Sequence, residues 1–179
     1  FLGDEDGDGV AEMELVVRNE RPGDEEAISQ VTRDAFRSHA HSDQTEHLIV
    51  DALRDAGALT VSLVAERAGE IVGHIAFSSV TISDGSEMWF GLGPVSVSPR
   101  HQRQGIGKRL IHTGLAALRE KGAFGCVLVG EPAYYNRFGF VNDPELTFPG
   151  LPSEYFLALP LGPRRARGEV TYHQAFSSG

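Results

Sequence analysis

Two glycines one residue apart, Gly105 and Gly107, stand where the strand-forming run Val95-Ser96-Val97 passes through a polar loop into an amphipathic segment. This junction constrains the chain more than any other stretch. Backbone N–H groups at a helix start have no internal partner, and the helix dipole adds partial positive charge there. Glycine removes the Cβ atoms, so a bulky anion can approach the backbone. Arg100, Arg103, Lys108 and Arg109 flank the junction, a basic reversal in a chain whose formal net charge is −9. The physical reading is a phosphate or pyrophosphate cradle. An isolated Gly-x-Gly, taken alone, reads better as tight helix–strand packing without a ligand. Two phosphate motifs do not fit. A P-loop needs Ser or Thr after Lys108 and an earlier glycine at the right spacing, and Arg109 follows instead. A dinucleotide fingerprint needs a third glycine where Leu110 stands.

The flanking strand, Met88 to Ser98, carries the most informative irregularity. Phe90 and Leu92 are even-numbered apolar positions, whereas Val95 and Val97 are odd. Strand side chains repeat every two residues, so the apolar face slips by one. Gly93-Pro94 lies at the slip, where proline cannot donate to a ladder and glycine tolerates unusual dihedrals; a β-bulge is the simplest account. After the junction, Gly107, Leu110, Ile111, Gly114, Leu115 and Leu118 follow helical spacing, and Gly122 ends the helix. Phe124 to Val129 is a near-continuous apolar run, as in a buried parallel strand.

The remaining elements follow from the same periodicities. Glu14 to Arg18 reads as a first strand, and Asp24 as the cap of a helix with Ala27, Ile28, Val31, Ala35 and Phe36 on one face. Ser42 or Asp43 caps a second helix whose buried stripe is Leu48, Ile49, Ala52, Leu53 and Ala56, ending at Gly57. Leu59 to Leu63 and Ile71 to Ile82 are strands, the latter interrupted only by Gly73 and His74, with Ser83 to Ser86 as a hairpin loop. His74 reads as a hydrogen-bonded sheet histidine. Pro132 starts a short helix, Asn142 to Ser153 is a loop, and Tyr155 to Leu159 and Val170 to Phe176 are the last strands.

A chain of 179 residues is ample for one core. Residues 1–12 form an acidic tail or an added leader, with Met13 as the natural start and 13–179 as a single domain. The acidic balance argues against nucleic acid, and no apolar run suits a membrane span. The one cysteine, Cys126, excludes an internal disulfide and reads as a buried, inert thiol in a cytoplasmic protein. His39, His41 and His47 lack metal-ligand spacing, so no metal is expected.

Gln102, Gly105 and Gly107 satisfy the pattern Gln/Arg-x-x-Gly-x-Gly/Ala. Downstream, Glu131-Pro132-Ala133-Tyr134-Tyr135-Asn136-Arg137-Phe138-Gly139-Phe140 places Tyr135 four residues before Gly139-Phe140. Gly168 to Phe176 closes the chain in a similar style. In element order, these features resemble the GNAT superfamily of acyl-CoA N-acyltransferases, in its branch of small bacterial members. The elements read from the chain number about seven strands and about four helices. The resemblance implies an α/β (α+β) fold with a central mixed, mostly antiparallel sheet, splayed between its fourth and fifth strands. It also implies acetyl-CoA as acyl donor and a primary amine of a small molecule or peptide as acceptor, in a monomer or homodimer.

The implied site follows residue by residue. Backbone N–H groups across Gln102, Arg103, Gln104, Gly105, Ile106, Gly107 and Lys108 hold the pyrophosphate. Val95, Ser96 and Val97 pair with the amide-rich pantetheine arm like an added strand, and an N–H near the bulge polarises the thioester carbonyl. Tyr135 is the implied general acid, because a phenol with pKa about 10 is protonated at neutral pH. Tyr134 is expected to pack. No general base is assigned; Glu131, His74, a water relay or an amine that arrives neutral are the options. The loops Arg37 to His41 and Asn142 to Ser153 are expected to border the acceptor. A catalytically weak acyl-CoA sensor is the competing reading.

Overall fold

In chain order the elements are β1 (Val16–Asn19), α1 (Glu25–Phe36), α2 (Glu46–Asp55), β2 (Leu59–Arg67), β3 (Glu70–Ser79), β4 (Thr81–Ile82), β5 (Trp89–Val97), α3 (Ile106–Glu120), β6 (Gly125–Val129), α4 (Pro132–Tyr135), β7 (Leu146–Thr147), β8 (Phe156–Pro160) and β9 (Gly168–Thr171). The structure, a computed structural model, describes residues 15–177, so the acidic stretch 1–12, Met13 and Glu14 lie outside the described residues. The main sheet has six strands in the order β1-β2-β3-β5-β6-β8. Every junction is antiparallel except β5/β6, which is parallel, as the apolar run from Phe124 to Val129 suggested.

Helix α3 covers one face of this sheet. Its stripe of Ile106, Leu110, Ile111, Leu115 and Leu118 is buried against Phe77, Phe90, Leu92 and Phe140, following the helical spacing. Gly114 allows the closest approach, because a Cβ there would stand 2.2 Å from Phe77 Cε1. Helices α1 and α2 cover the opposite face, where Ile28, Val50 and Val64 meet.

Several local expectations are corrected. Residues 71–82 are not one strand. β3 ends at Ser79, and β4 joins a separate three-stranded sheet, β4-β9-β7. The reason is packing: Phe77 faces the α3 core, whereas Val80 and Ile82 belong to a second cluster with Trp89, Leu146, Phe156 and Val170. The last strand stops at Thr171 rather than Phe176; a 3-10 turn over Gln174–Ser177 follows, and β7 lies within the stretch read as loop.

Asp24 precedes α1 but makes no side-chain cap bond. Its carboxylate instead accepts from Arg18 Nη1 at 2.8 Å and from the Arg21 N–H at 2.7 Å, tying β1 to the turn. Arg18 holds this carboxyl below its ordinary range. Helix α2 starts at Glu46, after Thr45, not at Ser42 or Asp43. Its inward residues are Val50 and Leu53, while Leu48 is 49 % exposed. The stripe read from Leu48 is therefore rotated on the helix.

Candidate active site

The slip on β5 is a bulge. Ile75 pairs with Val95 and Phe77 with Leu92, so β3 advances two residues while β5 advances three. Gly93, within the extra step, has φ +135°, a region that L side chains rarely adopt. β5 and β6 pair only at Trp89↔Gly125, Phe90↔Cys126 and Gly91↔Val127. Beyond Gly91 the two strands part, and a cleft of about 1230 Å³ opens between them. Gly93, Pro94, Val95 and Val97 form one wall, with Leu128, Val129 and Gly130 opposite. Val129, 49 % exposed, is an apolar side chain on this otherwise uncovered wall. Ser96 points to the other face of the sheet. It is 1 % exposed, and its hydroxyl is buried without a partner. Of Val95-Ser96-Val97, only the valine side chains border the cleft, so Ser96 can contribute there through its backbone alone.

The same cleft reaches Gln102 and Gly107 at the start of α3. The loop turns through two left-handed residues, Arg103 (φ +66°) and Gly105 (φ +82°). Gln102 Nε2 donates to Val97 O at 3.2 Å, tying the loop to the strand, and Gln104 accepts from Arg67. The first helical backbone bond runs from Arg109 N to Gly105 O, 3.0 Å, so the N–H groups of Ile106, Gly107 and Lys108 have no acceptor within the helix. Ile106 is 1 % exposed and spends its side chain in the core. A Cβ on Gly107 would meet nothing closer than Tyr134 Oη at 3.6 Å and Val97 Cγ2 at 3.7 Å, which is ordinary contact. The protein itself has room there, and a side chain would fill the cleft. Two of the four basic residues turn elsewhere: Arg100 lies 3.9 Å from Glu70, and Arg109 donates to Leu15 O at 3.1 Å. Arg103 and Lys108 remain exposed beside the helix start.

Tyr134 and Tyr135 both border the cleft from α4. Tyr135 lies over Gly130, where a Cβ would stand 2.5 Å from its Cε2, so the glycine admits the ring at the end of β6. Burial pushes the Tyr135 phenol up to about 12, with a smaller push from Tyr134, so it is protonated at neutral pH. Tyr134 packs edge-on to Tyr135 with ring centroids 4.9 Å apart, beneath the Arg137 guanidinium at 4.6 Å. Its hydroxyl stands beside Gly107.

His74 is not in the cleft. It is fully buried, with Nε2 2.8 Å from Ser62 Oγ. Ser62 donates its own proton to Glu20 at 2.6 Å, so the imidazole must donate from Nε2. Nδ1 is then a buried acceptor without a partner. Burial lowers the His74 pKa to about 4, opposed by Glu20 and reinforced by Arg54. This is the sheet histidine the sequence suggested, and its burial removes it from the base options. Glu131 borders the cleft and is exposed.

Glu46 is the acidic residue that sequence reasoning missed. It borders both the cleft and an adjoining chamber of about 540 Å³, which share Phe36, Leu92, Gly93, Pro94 and Val129. The only local signal was Ser42, four residues earlier, whose hydroxyl lies 2.8 and 2.7 Å from the two Glu46 oxygens. His39 and His41 border the cleft, as do Leu151 and Pro152, whereas Phe148 and Pro149 border the chamber; both predicted loops therefore reach the cavity system. Among the described residues, no group of three or more His, Cys, Asp or Glu is placed to hold a metal ion, and no helix is long and apolar enough to cross a membrane.

Residues 25–140 match the model of the acetyltransferase (GNAT) family. The chain is 34 % identical over 146 residues to the uncharacterized N-acetyltransferase YhbS of Escherichia coli K12, covering 79 % of this chain and 84 % of that protein. A GNAT acetyltransferase from Brucella melitensis, crystallised with acetyl-CoA, is 52 % identical with TM-score 0.81, covering 90 % of this chain and 97 % of that one. Escherichia coli YhbS in complex with CoA superposes with TM-score 0.83 at 32 % identity, covering 92 % of each chain. The bulged strand, the parting of β5 from β6 and the glycine-led helix thus occur in a chain that belongs to the GNAT family of acetyltransferases.

Proposed function

We propose that the protein transfers an acetyl group from acetyl-CoA to a primary amine of a small molecule or peptide, by direct attack of the amine on the thioester. The observation that carries this reading is one continuous cleft joining an open helix start, an unpaired strand edge and a protonated phenol. The Brucella melitensis and Escherichia coli relatives were crystallised with acetyl-CoA and CoA, which supports the same donor here.

Acetyl-CoA would supply an acyl group already activated as a thioester; the rest falls to this chain. N–H groups from Gln102, Arg103, Gln104 and Gly105 through Ile106, Gly107 and Lys108 bind the pyrophosphate, with the side chains of Arg103 and Lys108 adding positive charge. The backbone of Val95, Ser96 and Val97, unpaired toward β6, offers donors and acceptors to the amides of the pantetheine arm. An N–H near Gly93-Pro94 donates to the carbonyl oxygen as charge develops on it. Tyr135 donates its proton to the departing sulfur. The buried, unpaired Cys126 suits a reducing compartment such as the cytoplasm.

Calorimetric titration with acetyl-CoA, with ATP and NAD as controls, tests the reading. Selective binding of acetyl-CoA, followed by thiol release in the presence of amines, is the expected result. Folded protein that ignores acetyl-CoA would refute it, and binding without turnover of any amine would favour the sensor.

A further inference from the structure

We propose that Glu46 receives the acceptor's ammonium group and takes its first proton, and that the chamber behind it selects amines carried on an apolar body. The proposal rests on the acetyltransferase reading and names the acceptor for that site.

Three observations carry it. The first is position: Glu46 borders both the cleft and the chamber, and the walls they share include the bulge at Gly93-Pro94. An amine passing from the chamber toward the bulge therefore meets this carboxylate. The second is charge. Neither cavity is lined by Lys or Arg among the described residues; Glu46 and Glu169 border the chamber, and His39, His41, Glu46 and Glu131 border the cleft. The surroundings favour a cation. The third is the chamber's surface, to which Phe36, Ile49, Phe148, Tyr172 and Phe176 contribute apolar side chains. Pockets of this size, mostly apolar with a few fixed polar groups, suit small ligands. Ser42 fixes the polar group here, since its hydroxyl lies within 2.8 Å of one Glu46 oxygen and 2.7 Å of the other.

The proton balance closes. Of the ammonium's three protons, one passes to Glu46 and on to solvent before attack, one is released from the nitrogen to solvent as the amide forms, and one stays. The carbon–nitrogen bond forms, the carbon–sulfur bond breaks, and sulfur takes the Tyr135 proton. Solvent restores the phenol, so one proton is released per turnover.

The test uses the full chain and three amines: 2-phenylethylamine, phenylalanine and 4-methylaniline. Phenylalanine has the same body as 2-phenylethylamine but places a second carboxylate beside Glu46. 4-Methylaniline is already neutral at pH 7. In the parent protein, kcat/KM for 2-phenylethylamine is expected to exceed that for phenylalanine by roughly tenfold or more. Glu46→Gln keeps the size and an acceptor for Ser42, and should lower kcat/KM for 2-phenylethylamine by roughly a hundredfold or more. It should leave acetyl-CoA affinity within about twofold and barely change 4-methylaniline turnover. Glu46→Asp should recover part of the loss. Equal losses for the neutral and the protonated amine would reduce Glu46 to a structural partner of Ser42 and overturn the proposal. So would no loss, or acetyl-CoA binding without acetylation of any of these amines. Absence of acetyl-CoA binding in the parent would instead overturn the acetyltransferase reading itself.

Discussion

Gly107 can be tested as a ligand glycine by making stability and binding move in opposite directions. It lies in the first turn of α3, and an added Cβ meets nothing nearer than 3.6 Å. Replacing glycine by leucine within a helix is worth up to about 0.5–1 kcal/mol in backbone terms. For a chain of this size that is a rise of roughly 1–4 °C in Tm. The leucine side chain must extend toward Tyr134 Oη and Val97 Cγ2, across the wall of the cleft. Losing one charge-assisted N–H contact to a phosphate, at about 1.5–3 kcal/mol, weakens acetyl-CoA binding by roughly tenfold to a hundredfold. Gly105→Ala separates the two effects. It has no neighbour within 4 Å of its added Cβ, but its φ is +82°. The left-handed backbone alone should cost about 1–2 kcal/mol. The assay is a thermal melt without ligand beside an acetyl-CoA titration for each variant. Gly107→Leu should melt higher and bind worse. A Gly107→Leu protein that melts several degrees lower and binds acetyl-CoA normally would return Gly107 to helix–strand packing and refute the cradle.

Three further outcomes follow from the packing and the proton inventory. Gly114→Ala would place a Cβ 2.2 Å from Phe77 Cε1, and overpacking of that kind costs about 1–3 kcal/mol; urea unfolding should show it while acetyl-CoA affinity of the folded fraction is unchanged. Tyr135→Phe removes the donated proton and should lower kcat by roughly a hundredfold or more, with acetyl-CoA affinity held within about twofold; unchanged kcat would take Tyr135 out of the reaction. His74 drops from 6.5 unfolded to about 4 folded, so the stability of its neutral form is complete above pH 6.5 and is lost as pH falls toward 4. Between pH 7.5 and 5 this contributes a loss of about 2 kcal/mol, seen as a difference between the parent and His74→Gln in urea melts at the two pH values.

What the sequence made legible was local. A period of two exposed the bulge, because one slipped residue moves Val95 and Val97 to the side of Phe90 and Leu92. A period of 3.6 exposed the α3 stripe, whose positions from Leu110 to Leu118 are all buried, while Gly107 at its start borders the cleft. Choices made between distant segments were not legible. Asp24 has the chemistry of a cap, yet Arg18, six residues earlier on β1, draws its carboxylate away. Val80 and Ile82 extend the apolar stretch of β3 on positions of the other parity from Ile75 and Phe77, and their partners are Trp89 and Val170, in a second core. Glu46 carried no local signal beyond Ser42, four residues earlier. Only the placement of α2 against α1 and the turn at Gln174–Ser177 gives it a cavity to face.

That placement gives the cavity system two electrical ends. Beside the α3 start are exposed Arg103 and Lys108 and unpaired helix N–H groups, suited to phosphates. Around the chamber are Glu46 and Glu169, with no Lys or Arg among its described lining residues. On the proposed reading an anionic donor and a cationic acceptor would be drawn to opposite ends, and neither end would favour the other's ligand. The bulge lies between them, where Gly93 and Pro94 interrupt the ladder. On that reading the overall charge of −9 has little bearing on donor recognition, which would be decided over a few residues after β5. It bears more on the proposed cationic acceptor, whose approach a net negative charge would assist and added salt should slow.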